Sequence, residues 1–379
     1  MARSYLDHAS TSPLRPAAHA AMVEYLDAMA DGAVGDPGRI HEEGMRARSV
    51  LEDARDRVAS WLGVRPRQIV FTSGATESIA MAHHGALARS AGGPDATAVL
   101  SAVEHSAVTR NCDRGANRVV GVDASGRVDP ARLLAATGED TAVVHLQHTN
   151  HELGVTQPVA EVVEVLDGHR CLLHVDAAQS GCSLPGVVGL GADLVSVSGH
   201  KLGGPAGAGL LVLRRNLRIP PLLVGGDQER ARRAGLENIA AVLGLAAVAD
   251  ELASDGAAES ARLRSLSQKV IEWADSTEGV SVLGDRVERS DHLVCVQLEG
   301  IEPQPVLLGL DQRGVAVHSG SSCSSEAFDP SPVLEAIGAD AQRSLRISVG
   351  WSTTPGDVDR ATSALTEVVA ELRTLGASR

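Results

Sequence analysis

The chain has 379 residues, 44% of them hydrophobic, a mean hydropathy near zero, and a formal net charge of −14 from 34 basic and 48 acidic side chains. Such a chain can bury a full core, which excludes intrinsic disorder, and no apolar run approaches the ~20 residues of a membrane span. So acidic a surface repels phosphates, and direct binding to DNA or RNA is not expected.

In chain order, segment 1–15 reads as a short strand and a turn. Its opening, Met1-Ala2-Arg3-Ser4-Tyr5, lacks the apolar stretch of a signal peptide, which places the protein in the cytosol. Over 40–62, Val50, Leu51, Ala54, Val58, Trp61 and Leu62 share one face at helical spacing, and Gly63 stops the helix. A strand at 68–72 leads into a helix through 78–88. Further strands are expected at 98–101, 142–147, 172–175, 194–198 and 210–213. Strands alternating with helices imply an α/β fold with a mostly parallel sheet. Aromatics are only 2%, so the core must be Val, Leu, Ile and Ala, which suits buried parallel strands. After residue 255 the pattern changes. A helix at 260–276 leads to strands at 280–283 and 292–298 and a helix at 306–313. Thr354 is expected to N-cap the last helix, with Pro355 in its first turn. The expected domains are a large one, 16–255, and a smaller α+β one built from 1–15 and 256–379. Ligands favour the cleft at the carboxyl ends of parallel strands.

Lys201 is one of two lysines, with Lys269; all other basic residues are arginine. It follows the apolar run Leu194-Val195-Ser196-Val197, which reads as a strand delivering an amine at its end. Only an amine makes an imine. Asp176 and Gln179 close another strand, and a carboxylate there can hold a pyridine nitrogen protonated. Together these are the minimum equipment for pyridoxal phosphate (PLP) chemistry. Thr72-Ser73-Gly74-Ala75-Thr76 joins a strand to a helix N-terminus, which suits one phosphate or simply a capped helix. His105 and Asn150 follow strands as well, in catalytic or structural roles. Arg346 sits on a strand-like stretch where its fork suits a carboxylate or a surface ion pair. Arg230, Arg232 and Arg233 form a local basic exception, either a solvated face or an anion site. The five cysteines (Cys112, Cys171, Cys182, Cys295 and Cys323) are odd in number and show no CxxC spacing, so neither disulfides nor a metal site is expected. Cys171 and Cys295 have buried neighbours. Cys323 lies in His318-Ser319-Gly320-Ser321-Ser322-Cys323, a small polar stretch expected to present a reactive thiol on an exposed, mobile loop.

The strings SGATES, EHSAV, HVDAAQS, SGHK, HSGSSC and SLRISVG, with the opening YLDHASTSP, resemble the PLP-dependent cysteine desulfurases of the IscS/NifS type in the same order, from Tyr5 to the final helix. The resemblance implies the fold-type-I, class V aminotransferase architecture, with a mostly parallel seven-stranded sheet, as a homodimer. It implies that Lys201 makes the imine with PLP, that Asp176 pairs with the ring nitrogen, that Gln179 bonds the ring oxygen, and that His105 stacks on the ring and shuttles a proton. It implies further that Ala75, Thr76, Ser198 and His200 hold the phosphate, that Asn150 and Arg346 take the carboxylate of L-cysteine, and that Cys323 accepts the sulfur as a persulfide for a protein acceptor. Iron–sulfur assembly, tRNA thiolation and DNA phosphorothioation are the candidate destinations.

Three positions depart from the family's pattern. His151 replaces the second of two asparagines, and Asp36 stands where asparagine is usual. Leu236, in Gly235-Leu236-Glu237, replaces a hydroxyl that reaches the other subunit's phosphate, which implies weakened PLP retention. The rival readings are another enzyme of the same fold, such as a selenocysteine lyase or an aminotransferase, and a weakly active scaffold for sulfur transfer.

Overall fold

The computed structural model describes residues 3–90, 95–320 and 330–377. Its centre is a seven-stranded sheet. In chain order the strands are β1 (Ser4–Tyr5), β2 (Ile69–Thr72), β3 (Thr97–Ser101), β4 (Asn117–Val120), β5 (Thr141–Gln147), β6 (Leu172–Asp176), β7 (Leu194–Ser198), β8 (Gly209–Leu213), β9 (Val280–Val282), β10 (Leu293–Leu298), β11 (Val315–Ala316), β12 (His318–Ser319) and β13 (Ser344–Ser348). The large sheet runs β2-β8-β7-β6-β5-β3-β4, and only β8 is antiparallel to its neighbours. A four-stranded antiparallel sheet, β12-β13-β10-β9, and the pair β1-β11 stand beside it.

Alternation in the strands divides the large sheet's faces. Val144, Leu146, Leu173, Val175, Val195 and Val197 pack toward helices Pro16–Ala30, Glu42–Leu62 and the first half of Ile239–Ser276. Val143, Leu172, Leu194 and Leu211 pack toward Ala75–Arg89 and Ser106–Cys112. A separate core joins Leu6, the second half of Ile239–Ser276, β10, β13 and the final helix Pro355–Ala377. The helix expected at 260–276 is thus the end of a 38-residue helix that serves both cores. Its first half is so rich in Ala, Val and Leu that it is buried nearly all round, which hides the one-sided pattern of a surface helix.

Helix ends follow their local chemistry. His41 Nδ1 accepts from the Gly44 N–H at 3.2 Å to open Glu42–Leu62, and Gly63 ends it at φ 66°. Thr354 Oγ1 accepts from the Asp357 N–H at 3.3 Å, while Asp357 accepts from the Thr354 N–H at 2.9 Å, a capping box at the final helix. Among the described residues no helix is long and apolar enough to cross a membrane.

Candidate active site

The carboxyl ends of β2, β5, β6 and β7 meet around one cavity of about 650 Å³. Lys201 lies in a single helical turn, His200–Leu202, just past β7. The N-terminal segment braces that turn: the Ser12 N–H donates to His200 O at 3.0 Å, Ser12 Oγ to Lys201 O at 3.0 Å, and Arg15 Nε to Leu202 O at 2.8 Å. Asp176 ends β6, is 6% exposed, and accepts from the Ala178 N–H at 3.0 Å. Both residues line the cavity, and their charges act on the His105 and His151 rings there.

The expected phosphate cradle lies on the same wall. Helix Ala75–Arg89 starts after Gly74, whose φ of 156° and ψ of 179° suit glycine alone. Gly209 of β8 lets two backbones approach: a Cβ there would fall 2.5 Å from Gly74 Cα. Ala75, Thr76, Ser198 and His200 all line the cavity. The N–H groups of the helix's first turn have no intrahelical acceptor, which is what an anion uses. A phosphate cradle, a carboxylate and an imine-forming amine around one cavity fit a phosphorylated pyridine aldehyde such as PLP.

Gln179 also lines the cavity. Its Nε2 donates to Ala9 O at 2.7 Å and its Oε1 is 3.3 Å from His292 Nε2. His105 caps the short helix Ser106–Cys112: its Nδ1 accepts from the Ala107 N–H at 3.0 Å. A neutral ring so held carries its proton on Nε2. Burial first, then the charges of His151 and Lys201, push its pKa down to about 3. The proton shuttle expected of His105 therefore has to release the Ala107 bond before the ring can take up a second proton.

Asn150 does not reach the cavity. It is fully buried; its Nδ2 donates to Val103 O at 3.1 Å, and its Oδ1 accepts from the Glu152 and Leu153 N–H groups at 2.9 and 2.7 Å. Its amide shapes the turn, and the neighbouring His151 is the residue presented. That ring meets His105 edge to face, with centroids 4.9 Å apart, and burial pushes its pKa down to about 3. Sequence reasoning noted His151 as a substitution but not as the wall residue. Ala9, Ser10 and Thr11 of the N-terminal segment were missed as wall residues too. Their signal was the matching opening string.

Arg346 lies on β13, 2% exposed, with one edge on the cavity. Nη1 donates to His151 O at 2.8 Å, and Nη2 donates to Asp7 Oδ1 at 3.0 Å and Ser10 Oγ at 2.7 Å. Nε has no partner among the described residues. The basic cluster is spent internally: Arg230 pairs with Glu52, Arg232 donates to Arg67 O and Ile69 O, and Arg233 pairs with Glu77. Leu236 is 63% exposed. Cys323 lies outside the described residues.

Residues 4–361 match the family described as aminotransferase class-V. The chain is 36% identical over 387 residues to the putative cysteine desulfurase IscS 1 of Bacillus subtilis, an alignment spanning 98% of this chain and 100% of that protein. Among solved structures it is similar to a NifS-like protein (TM-score 0.87, 27% identity, 97% of this chain and 99% of that one). It is also similar to DndA from Streptomyces lividans (TM-score 0.76, 30% identity, 91% and 99%).

Proposed function

The chain belongs to the class-V aminotransferase family, among its cysteine desulfurases of the IscS/NifS type, and from that premise we propose how its residues divide the work. The observation that carries the reading is the single cavity shared by Lys201, Asp176, the Gly74–Thr76 cradle and Arg346. Ala75, Thr76, Ser198 and His200 would hold the phosphate of PLP, Asp176 its ring nitrogen, and Lys201 its aldehyde carbon. When bound, that group supplies a sink for electrons from the carbon beside the substrate nitrogen.

Arg346 receives the carboxylate of L-cysteine, which fixes the Cα–H bond toward Lys201. With the cofactor bound, the Lys201 amine would take that proton and later return one. Buried and neutral, His105 and His151 present hydrogen-bonding edges without adding charge. The Cys323 thiolate then takes the substrate sulfur: the carbon–sulfur bond breaks, a sulfur–sulfur bond forms, and L-cysteine leaves as L-alanine. Cys323 is left as a persulfide, so no external oxidant is needed. The sulfur goes to a protein acceptor, because a chain of net charge −14 is poorly suited to holding nucleic acid itself. The reading includes a cytosolic homodimer.

The test is direct. Purified protein should release alanine from L-cysteine and gain one sulfur atom on Cys323 by mass spectrometry. Lys201→Ala should lose both activities, and Cys323→Ser should keep the cofactor's absorbance while losing the sulfur. Unchanged sulfur transfer in Cys323→Ser would sink the acceptor assignment.

A further inference from the structure

One row deeper in the sheet than Gln147 and Asp176 lies a set of titratable side chains that the desulfurase reaction does not use. His145 of β5 and His174 of β6 are register partners, and the hydroxyl of Ser196 on β7, the register partner of Asp176, reaches the His174 ring. His83 comes down from helix Ala75–Arg89, and Cys112 ends helix Ser106–Cys112. His145 and His174 are fully buried, Cys112 is 1% exposed and His83 7%. Around them pack Met81, Leu100, Val108, Val143 and Leu172.

The distances are those of a ligand set. His83 Nδ1 lies 3.1 Å from His145 Nε2 and 3.9 Å from Cys112 Sγ, and all three donor atoms fall within 4.8 Å of one another. Bonds of about 2.0 Å to nitrogen and 2.3 Å to sulfur span donor separations of about 3–4 Å. We propose that His83, Cys112 and His145 form a buried three-coordinate site for a soft monovalent cation, Cu(I).

Charge and coordination number select the ion. Thiolate, two neutral imidazoles and Cu(I) sum to zero, which an apolar cluster accepts. A zinc ion would leave one net positive charge and seek a fourth ligand. The nearest outer charges offer no clear excess of either sign: Asp113 acts on Cys112, while Arg114 acts on His83.

The outer hydrogen bonds orient the ligands. His145 Nδ1 is 2.8 Å from His174 Nδ1, and His174 Nε2 is 2.6 Å from Ser196 Oγ. With His145 donating from Nδ1 and His174 donating from Nε2, the His145 Nε2 lone pair faces Cys112 and His83. This is how outer partners usually set a ligating imidazole. On binding, the Cys112 thiol proton leaves to solvent and the His83 proton sits on Nε2. Three metal–ligand bonds form, and copper keeps its oxidation state. The bound ion ties the cradle helix and the helix capped by His105 to β5. No short-range spacing announces the site, because its ligands come from three separate elements.

The experiment uses the PLP-loaded Cys323→Ser enzyme, since the acceptor thiol would itself take copper. Under anaerobic conditions it is titrated with Cu(I) held by bathocuproine disulfonate. One ion per chain should be withdrawn, and X-ray absorption should show one sulfur and two nitrogens. His83→Ala and Cys112→Ser should lose the ion, Cys171→Ser and Cys182→Ser should keep it, and His174→Ala should weaken it about 10–100-fold. Cys112→Ala replaces Cys112→Ser if the serine variant fails to fold by circular dichroism. No withdrawal of Cu(I), full retention by both Cys112 variants, or preference for Zn(II) over Cu(I) in competition would overturn the proposal. The first of these would leave the cluster a purely hydrogen-bonded ladder.

Discussion

Replacing Arg346 by lysine keeps the charge and most of the stem but removes the planar fork. Nη1 and Nη2 are committed to His151 O, Asp7 and Ser10, while the buried Nε has no partner among the described residues. A substrate carboxylate that accepts from the Nε–H would give that group its partner. One hydrogen bond to a charged group contributes about 1.5–3 kcal/mol. At about 1.4 kcal/mol per factor of ten, its loss lowers kcat/KM for L-cysteine about 10–150-fold. Arg346→Lys also disturbs the brace to the N-terminal segment, so a single substrate cannot separate the two effects. Cysteamine, which has the amine and thiol of cysteine without the carboxylate, can. Stopped-flow absorbance of the cofactor gives a second-order rate for each amine. The structural damage falls on both substrates, and the carboxylate contact on cysteine alone. The cysteine-to-cysteamine ratio should therefore fall about 10–150-fold in the variant. If both rates drop together and the ratio stays put, Arg346 is only a strut between β13 and the first strand's turn.

Glu229→Gln breaks a buried bidentate pair, in which Arg55 Nη1 and Nη2 lie 2.8 and 2.6 Å from the carboxylate, and should cost about 3–5 kcal/mol in denaturant unfolding. Arg57→Ala, at the partly exposed Arg57–Asp250 pair, should cost less than about 1 kcal/mol; equal costs would refute the burial argument. Burial holds the Glu152 carboxyl up at about 7 against 4.5 in its ordinary state. The protonated form is the one the fold favours, so stability is fully present below 4.5 and is lost as pH rises through 7. Glu152→Gln should remove a loss on the order of 3 kcal/mol across that window, and an unchanged unfolding profile would contradict it. Leu236→Thr restores a hydroxyl in an exposed segment and should slow PLP loss on dialysis; identical loss from both proteins would end that reading of the substitution.

Much of this architecture could be read along the chain because the strands that open onto the site end on polar residues. Ile69–Thr72, Leu172–Asp176 and Leu194–Ser198 are short apolar runs with a polar terminus, the form of a buried strand opening onto a site. β4 escaped notice because it is a four-residue edge strand, Asn117–Val120, with Arg118 and Val119 exposed and no alternation to follow. The order of the strands, with β2 joined to the far side of β8, is a tertiary fact that no local pattern contains. The exchange between Asn150 and His151 was unreadable for the same reason. Adjacent residues on a turn point to opposite sides, and only the bond from Asn150 to Val103, 47 residues earlier, decides which one faces inward.

The wall of the cavity is chemically quieter than its histidines suggest. Burial first pushes His105 and His151 on the wall down to about 3, and, outside the lining, it pushes His148 and His292 down to about 4 and the carboxyl of Glu104 up to about 8. Near neutral pH these five groups are uncharged, so the fields of Asp176 and Arg346 reach the substrate with little competition. A neutral His105 pinned through Nδ1 by the Ala107 N–H can offer a proton in a hydrogen bond but cannot readily accept one. Basicity in the cavity then falls to an amine, and Lys201 supplies it at the end of β7 on a turn clamped from the N-terminal side by Ser12 and Arg15. The segment that opens the chain thus bears on catalysis without a reactive group of its own, because it fixes where the one proton acceptor stands.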